Sequence, residues 1–330
     1  MTGIAVMGGG LIGRRHVERL LAHPHAHCAG LIDPIADIAP DLDVARPTSL
    51  VDAMADGVII ATPTPLHAEH AQQAAALNLP MLIEKPVAQN LTSADSLRGL
   101  KTPILVGHHR RHHPKVQALK SLLTSGRIGT PVTATLIWAM RKPESYFSQN
   151  WRSKGDGSPV MINLVHDLDL LNHVFGTITE IAALRGMSLR GGERPESGAV
   201  ILRHTSGVTT SLSFADTAPS PWGFEAGTGE NPNIGTTHQD MLWVTGTKGG
   251  VSFPSLSVWM GTDWSTPARR EPALVVENTA PLDAQLDHFI DVIAGRAAPL
   301  CSLADGRAAL AAAQEIETQL SERCPHVGTA

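Results

Sequence analysis

Three clusters in this chain have residue types and spacings that could do chemistry. In MGGGLIG, Gly8, Gly10 and Gly13 satisfy G-x-G-x-x-G between an apolar run and an amphipathic one. Glycine there lets the backbone turn tightly and approach a pyrophosphate, whose charge then rests on a helix N-terminus. Leu11 and Ile12 complete this candidate cofactor loop. An ordinary tight turn could use the same glycines, but Asp33 closes the next apolar run, 20 residues beyond Gly13. A carboxylate at that place accepts hydrogen bonds from the adenosine ribose and repels a 2′-phosphate. Pro34 and Ile35 follow it, with no arginine, so NAD is expected over NADP.

The second cluster is MLIEKP, where an apolar run ends on Glu84, Lys85 and Pro86. The carboxyl ends of parallel strands are where ligands sit in doubly wound folds, and proline fixes the exit angle by locking φ. The third is GDGSPVMINLVHDLDLLNHVFG, residues 155–176. At 100° per residue, Val160, Leu164, Leu168, Leu171 and Phe175 share one face, while His166, Asp169 and His173 share the other. A surface helix with a solvated polar face would read the same way. A fourth group, GHHRRHHP, places His108 and His112 four residues apart. No carboxylate or cysteine accompanies them and two arginines would repel a cation, so no metal site is expected.

These groups need elements to hold them. Five near-continuous apolar runs, GIAVMG, CAGLID, GVIIAT, PMLIE and PILVG, alternate with amphipathic stretches, two of them with caps expected at Ser49 and Thr92. That is how strands buried on both faces of a parallel sheet read. Residues 1–122 therefore read as a doubly wound Rossmann domain. Beyond residue 127, period-two runs such as VTATLIWAM, GAVILRH and GVTTSLSFA are joined by short turns. They predict an α+β domain, residues 123–330, with a large, mostly antiparallel open sheet and two closing helices, DAQLDHFIDVIAG and residues 303–320.

Composition narrows the function classes. The 330 residues suit two domains. A formal charge of −5 and 4% aromatic residues give no field for nucleic acid or anionic lipid and little for stacking on single strands. No apolar run of about 18 residues occurs, and no basic leader precedes the glycines. Cys28, Cys301 and Cys324 are too few and scattered for a disulfide framework. A cytoplasmic chain with a small-molecule partner is expected, bound to neither nucleic acid nor membrane.

The segment ATPTPLHAEHAQQAAALNLPMLIEKPVAQN resembles the T-P-x-x-x-H … E-K-P stretch of the Gfo/Idh/MocA oxidoreductases, and the glycine motif and histidine helix follow the same order across the chain. The resemblance implies NAD(P)-dependent hydride transfer, a Rossmann domain, and an α+β domain whose open sheet makes oligomer contacts, as a homodimer or homotetramer. It implies that Lys85 orients and polarises the substrate hydroxyl, and that His166, with Asp169 three residues later, stands at the substrate, where an imidazole can exchange the hydroxyl proton. Thr62, Pro63 and His67 then lie beside the nicotinamide with Glu84, although a capping threonine and a solvated histidine would fit the residues alone. His108, Arg110 and Arg111 fall on a segment lining the substrate cleft, where guanidinium groups suit a carboxylate or many hydroxyls. One departure stands out: many members carry an aspartate four residues before the histidine, where this chain has Ile162, so Asn163 is expected to take over substrate orientation unless Asp167 or Asp169 supports the base.

Residues 216–240 read as a long loop, expected to be a lid whose Trp222 and Phe224 form an aromatic wall, with a partner-chain contact as the competitor. The substrate expected is a small cyclic polyol, sugar, sugar acid or dihydrodiol carboxylate. A non-catalytic NAD-bound sensor, or a reductase of a conjugated or imine substrate, remains open.

Overall fold

The computed structural model describes residues 1–35, 38–148, 157–191, 194–272, 274–276 and 279–322. Gly155, Asp156 and Cys324 lie outside them. In chain order the elements are β1 (Thr2–Met7), α1 (Leu11–Ala22), β2 (Ala26–Ile32), α2 (Leu50–Ala53), β3 (Gly57–Ile60), α3 (His67–Ala76), β4 (Met81–Ile83), α4 (Leu91–Asp95) and β5 (Ile104–Val106). There follow α5 (Pro114–Thr124), β6 (Pro131–Ala139), α6 (Val165–Phe175), β7 (Ile178–Arg185), β8 (Ser197–His204), β9 (Thr209–Ala215) and α7 (Phe224–Thr228). The chain closes with β10 (Leu242–Gly246), β11 (Gly249–Phe253), β12 (Val258–Met260), β13 (Arg269–Arg270), α8 (Pro281–Ile293) and α9 (Leu303–Glu322).

Two compact units result: Met1–His112 with Thr279–Leu310, and His113–Asn278 with Ala311–Ala330. In the first, β2-β1-β3-β4-β5 form a parallel sheet whose order reverses beside β1, the crevice position for ligands in such folds. Every residue of β3, β4 and β5 is buried, which is why those runs lack polar alternation. Ser49 caps α2 by accepting from Asp52 N, as expected. The cap of α4 is Asn90, which accepts from Ser93 N, and not Thr92: the helix starts two residues earlier than a cap at Thr92 would place it.

In the second unit the sheet runs β13-β12-β11-β10-β6-β9-β8-β7. Its pairs are antiparallel except β6 with β9, which are parallel because the 69 residues between them include α6 and the β7–β8 hairpin. Alternating burial along β8 and β9 gives one packed and one open face. The two-residue β13 is too short to leave a pattern in the sequence.

Candidate functional site

The glycine loop fits a dinucleotide on steric grounds. Gly8 adopts φ +93°, and a Cβ there would lie 2.6 Å from Ala61 O; a Cβ on Gly13 would collide with Gly8 O. At Gly10 nothing lies within 4 Å, so the backbone stays open to a phosphate at the start of α1. Leu11 is exposed and Ile12 half-buried. The Asp33 carboxylate accepts from Gly9 N at 2.7 Å and from Ile35 N at 2.9 Å. Each carboxylate oxygen can accept more than one bond, so ribose hydroxyls can still be accommodated. Gly8, Gly10, Leu11, Ile12, Gly13 and Asp33 are the residues that could hold the cofactor's pyrophosphate and adenosine.

Beyond β4, Glu84 turns inward. Its carboxylate meets His16 Nε2 of α1 at 2.8 Å and accepts from Lys85 N at 3.2 Å. Burial would raise this carboxyl, but the His16 hydrogen bond and the charges of His16, His109 and Lys85 outweigh it and hold Glu84 below its usual range. Lys85, half-buried, thus leaves a strand end anchored to the helix that follows the glycine loop. His67 is also buried: its Nδ1 lies 2.9 Å from Pro86 O and its Nε2 2.8 Å from Thr62 O. The ring lies between carbonyls of the loops after β3 and β4, to one of which the neutral imidazole donates, and burial pushes its pKa down against the pull of those carbonyls. Thr62 Oγ1 lies 3.0 Å from His70 Nδ1, and Pro63 precedes a single 3₁₀ turn.

The residues after β5 fold inward too. A 3₁₀ turn, His109–His112, packs by a tilted contact of His112 on His288 of α8. His108, Arg110 and Arg111 are buried, and Arg111 donates to Leu300 O at 3.0 Å and pairs with Asp305 at 3.4 Å. The guanidinium expected to face a cleft is engaged inside its own unit. Among the described residues, no group of three or more His, Cys, Asp or Glu side chains could hold a metal ion, and no helix is long and apolar enough to cross a membrane.

In the second unit the histidine segment is not one regular helix. Val160–Leu164 form a wide π-type turn before α6, held at its start by Val160 N donating to Ser158 Oγ and Ile162 N to Ser158 O. Such turns recur at functional positions. Asn163 lies within it, half-buried; His166 (7% exposed) and Asp169 (1%) follow on α6. The polar face, which a solvated surface helix would also have fitted, is buried, and His173 Nδ1 lies 3.3 Å from Lys120 Nζ of α5. The stretch 216–240 holds the short helix α7. Phe224 is fully buried, stacked on Phe253 and edge-on to His113, so it is core and not a lid wall, while Trp222 is 38% exposed.

The sequence reading missed a charged group in this unit. Buried Asp216 bonds Arg190 Nη1 at 2.8 Å and also Arg194, both guanidiniums stack over Phe147, and Lys142 N donates to Asp216 O. RKPE and ERPE look like solvated loops, and irregular segments carry no periodicity to betray burial.

Comparison with known proteins agrees with this architecture. The profile of an oxidoreductase family with an NAD-binding Rossmann fold matches residues 2–100, and that of the GFO/IDH/MocA C-terminal domain matches residues 116–252. The chain belongs to the Gfo/Idh/MocA oxidoreductase family. Among relatives, an inositol 2-dehydrogenase of Mycolicibacterium smegmatis is 26% identical with 97% of each chain covered. An uncharacterized oxidoreductase of Bacillus subtilis is 28% identical, the match covering 61% of each chain and so less than two thirds of that relative. An oxidoreductase from Agrobacterium radiobacter, solved in complex with NAD+, L-tartaric acid and magnesium, shares the fold at TM-score 0.77 and 18% identity over 96% of each chain.

Proposed function

We propose that this family member is an NAD-dependent dehydrogenase that moves hydride between nicotinamide and a secondary alcohol carbon of a small cyclic polyol, sugar, sugar acid or dihydrodiol carboxylate. The observation that carries the reading is the Glu84–Lys85 strand end, tied through His16 to the cofactor-loop helix. When bound, the cofactor supplies the hydride acceptor. Lys85 orients the alcohol oxygen and stabilises charge as the carbonyl forms, which a fixed cation does without reorganising. His166 takes the hydroxyl proton during oxidation and returns it in reduction, with Asp169 and Asn163 positioning ring and substrate. Trp222 offers an exposed aromatic surface to the substrate, whereas Arg111, committed to Leu300 O and Asp305, is given no substrate role.

NAD is proposed over NADP because Pro34 and Ile35, and no arginine, follow Asp33 in the sequence, and its carboxylate is held against Gly9 N. The neighbour solved with NAD+ and the relative named inositol 2-dehydrogenase support the same class of cofactor and substrate. A homo-oligomeric assembly in the cytoplasm, with residues 1–122 and 123–330 as the working domains, belongs to the same proposal. Spectrophotometry at the NADH band against a panel of polyols, sugars and their acids is the test. Turnover with at least one substrate, and an NAD-over-NADP preference that falls about tenfold in Asp33→Ala, is expected. Cofactor binding with no reduction by any member of the panel would favour a sensor.

A further inference from the structure

Lys142 and its neighbours form a group of buried donors that the alcohol chemistry leaves unused. The lysine is 9% exposed, and its ammonium lies 4.6 Å from the Tyr146 ring centroid and 5.9 Å from that of Trp138. Among the described residues, Lys142 Nζ, Trp138 Nε1 and Arg190 Nε are buried atoms with no hydrogen-bond partner. All three are donors. Ring faces attract a cation but are poor substitutes for an oxygen acceptor.

Two of the nearby carboxylates, Asp216 and Glu196, are already engaged, while the buried Oε2 atom of Glu225 has no hydrogen-bond partner among the described residues. Asp216 bonds both Arg190 and Arg194, and Glu196 accepts from Leu189 N and Arg190 N. Glu225 of α7 favours the charged lysine, but burial outweighs Asp216 and Glu225 together, with Arg190 and Arg194 acting in the same direction as burial, and pushes Lys142 down to about 8. A buried donor without an acceptor is a standing cost, larger when the donor is charged. A ligand that brings acceptors relieves it. A neutral hydroxyl offers two lone pairs and is itself a donor, whereas a carboxylate offers about four acceptor sites and the compensating charge. Arg190, 21% exposed, leaves this group open to solvent on one side.

We propose that Lys142, with Trp138 and Arg190, receives a carboxylate of the substrate and makes this oxidoreductase selective for hydroxy acids, sugar acids or diol carboxylates over neutral polyols. The inference rests on the dehydrogenase reading only in calling the ligand a substrate. It assigns to the second unit the carboxylate recognition that the sequence had suggested for Arg110 and Arg111.

Isothermal titration of the NAD+-loaded chain tests it without requiring turnover. D-gluconate, D-glucuronate and quinate are compared with D-glucitol, D-glucose and myo-inositol, for the wild type, Lys142→Met and Lys142→Arg. At least one acid is expected to bind about 10- to 100-fold more tightly than the neutral compounds at pH 7. Lys142→Met should erase that ratio and leave NAD+ and neutral ligands unchanged, while Lys142→Arg, which keeps the charge, should retain part of it. Raising the pH from 7 to 9 should weaken acid binding in the wild type as the ammonium loses its proton. Acids and neutral compounds binding alike, no acid binding, or equal loss of both in Lys142→Met would overturn the proposal. An acid preference without NADH formation would instead refute the dehydrogenase reading and leave this one standing.

Discussion

Glu84 in the first unit and Lys142 in the second are both ionisable groups withdrawn from water, yet their surroundings treat charge in opposite ways. Glu84 stays ionised because His16 bonds it and Lys85 and His109 add positive charge around it. Lys142 has ring faces and two already paired guanidiniums beside it, and its amine gives up its proton more readily than usual. The first arrangement is complete in the chain itself and suits a lysine that must stand in one place for every turnover. The second leaves donors without a hydrogen-bond partner among the described residues. A finished polar network points to positioning, and an unfinished one points to recognition.

The largest expected effect lies with the reacting groups. His166→Ala and Lys85→Ala should each lower kcat/KM by roughly 10²–10⁴ while NAD+ binds as before, because each removes one proton-transfer or electrostatic group and leaves the glycine loop intact. Stopped-flow turnover with parallel cofactor titration checks both. Loss of NAD+ binding with unchanged kcat would move Lys85 from substrate to cofactor.

Next is the anchored carboxylate itself. Glu84→Gln should cost about 1–3 kcal/mol in urea unfolding at pH 7, the scale for disturbing a buried, charge-assisted bond. The folded pKa of Glu84 is depressed, so its stabilisation is present above the unfolded carboxylate range and lost as pH falls through the folded value. The difference between wild type and Glu84→Gln should therefore shrink in acid. A constant difference from pH 7 to pH 3 would mean the charge is irrelevant.

Lys142 should show a slope of the same sign in an alkaline window, for the opposite reason: its surroundings disfavour the charged form. Its folded pKa of about 8 lies below the ordinary 10.5, so between those values the unfolded chain holds a proton that the folded chain does not. Ligand-free wild type should gain stability over Lys142→Met across that interval, by at most about 1.4 kcal/mol per pH unit. Parallel melts from pH 7 to pH 10.5 measure it, and identical curves would show that the lysine is not desolvated.

What could be read from the sequence follows the same division. The parallel sheet and glycine loop were legible because buried runs, tight-turn glycines and Asp33 are local signals. The Asp216, Arg190, Arg194 and Lys142 group was not, because its members come from separate loops that only the sheet brings together. The partners of Arg111 were hidden for the same reason: Leu300 and Asp305 lie almost 200 residues away. The burial of His166 and Asp169 was hidden by a helical wheel that separates polar from apolar faces without telling which are covered.

The smallest effect tests a local signal. Asn90→Ala should cost about 1 kcal/mol through loss of the α4 cap, with Thr92→Ala near neutral. Equal costs would return the cap to Thr92.

The most direct measurement of the central claim is transfer of a label. The chain is incubated with NAD+ and a panel of polyols and sugar acids carrying deuterium on the secondary alcohol carbons, and the reduced cofactor is analysed by mass spectrometry. Deuterium should appear in NADH from at least one acid of the panel, and the amount formed in a single turnover should fall roughly 10²-fold or more in Lys85→Ala. NAD+ bound in full with no deuterium transferred from any alcohol would contradict the account.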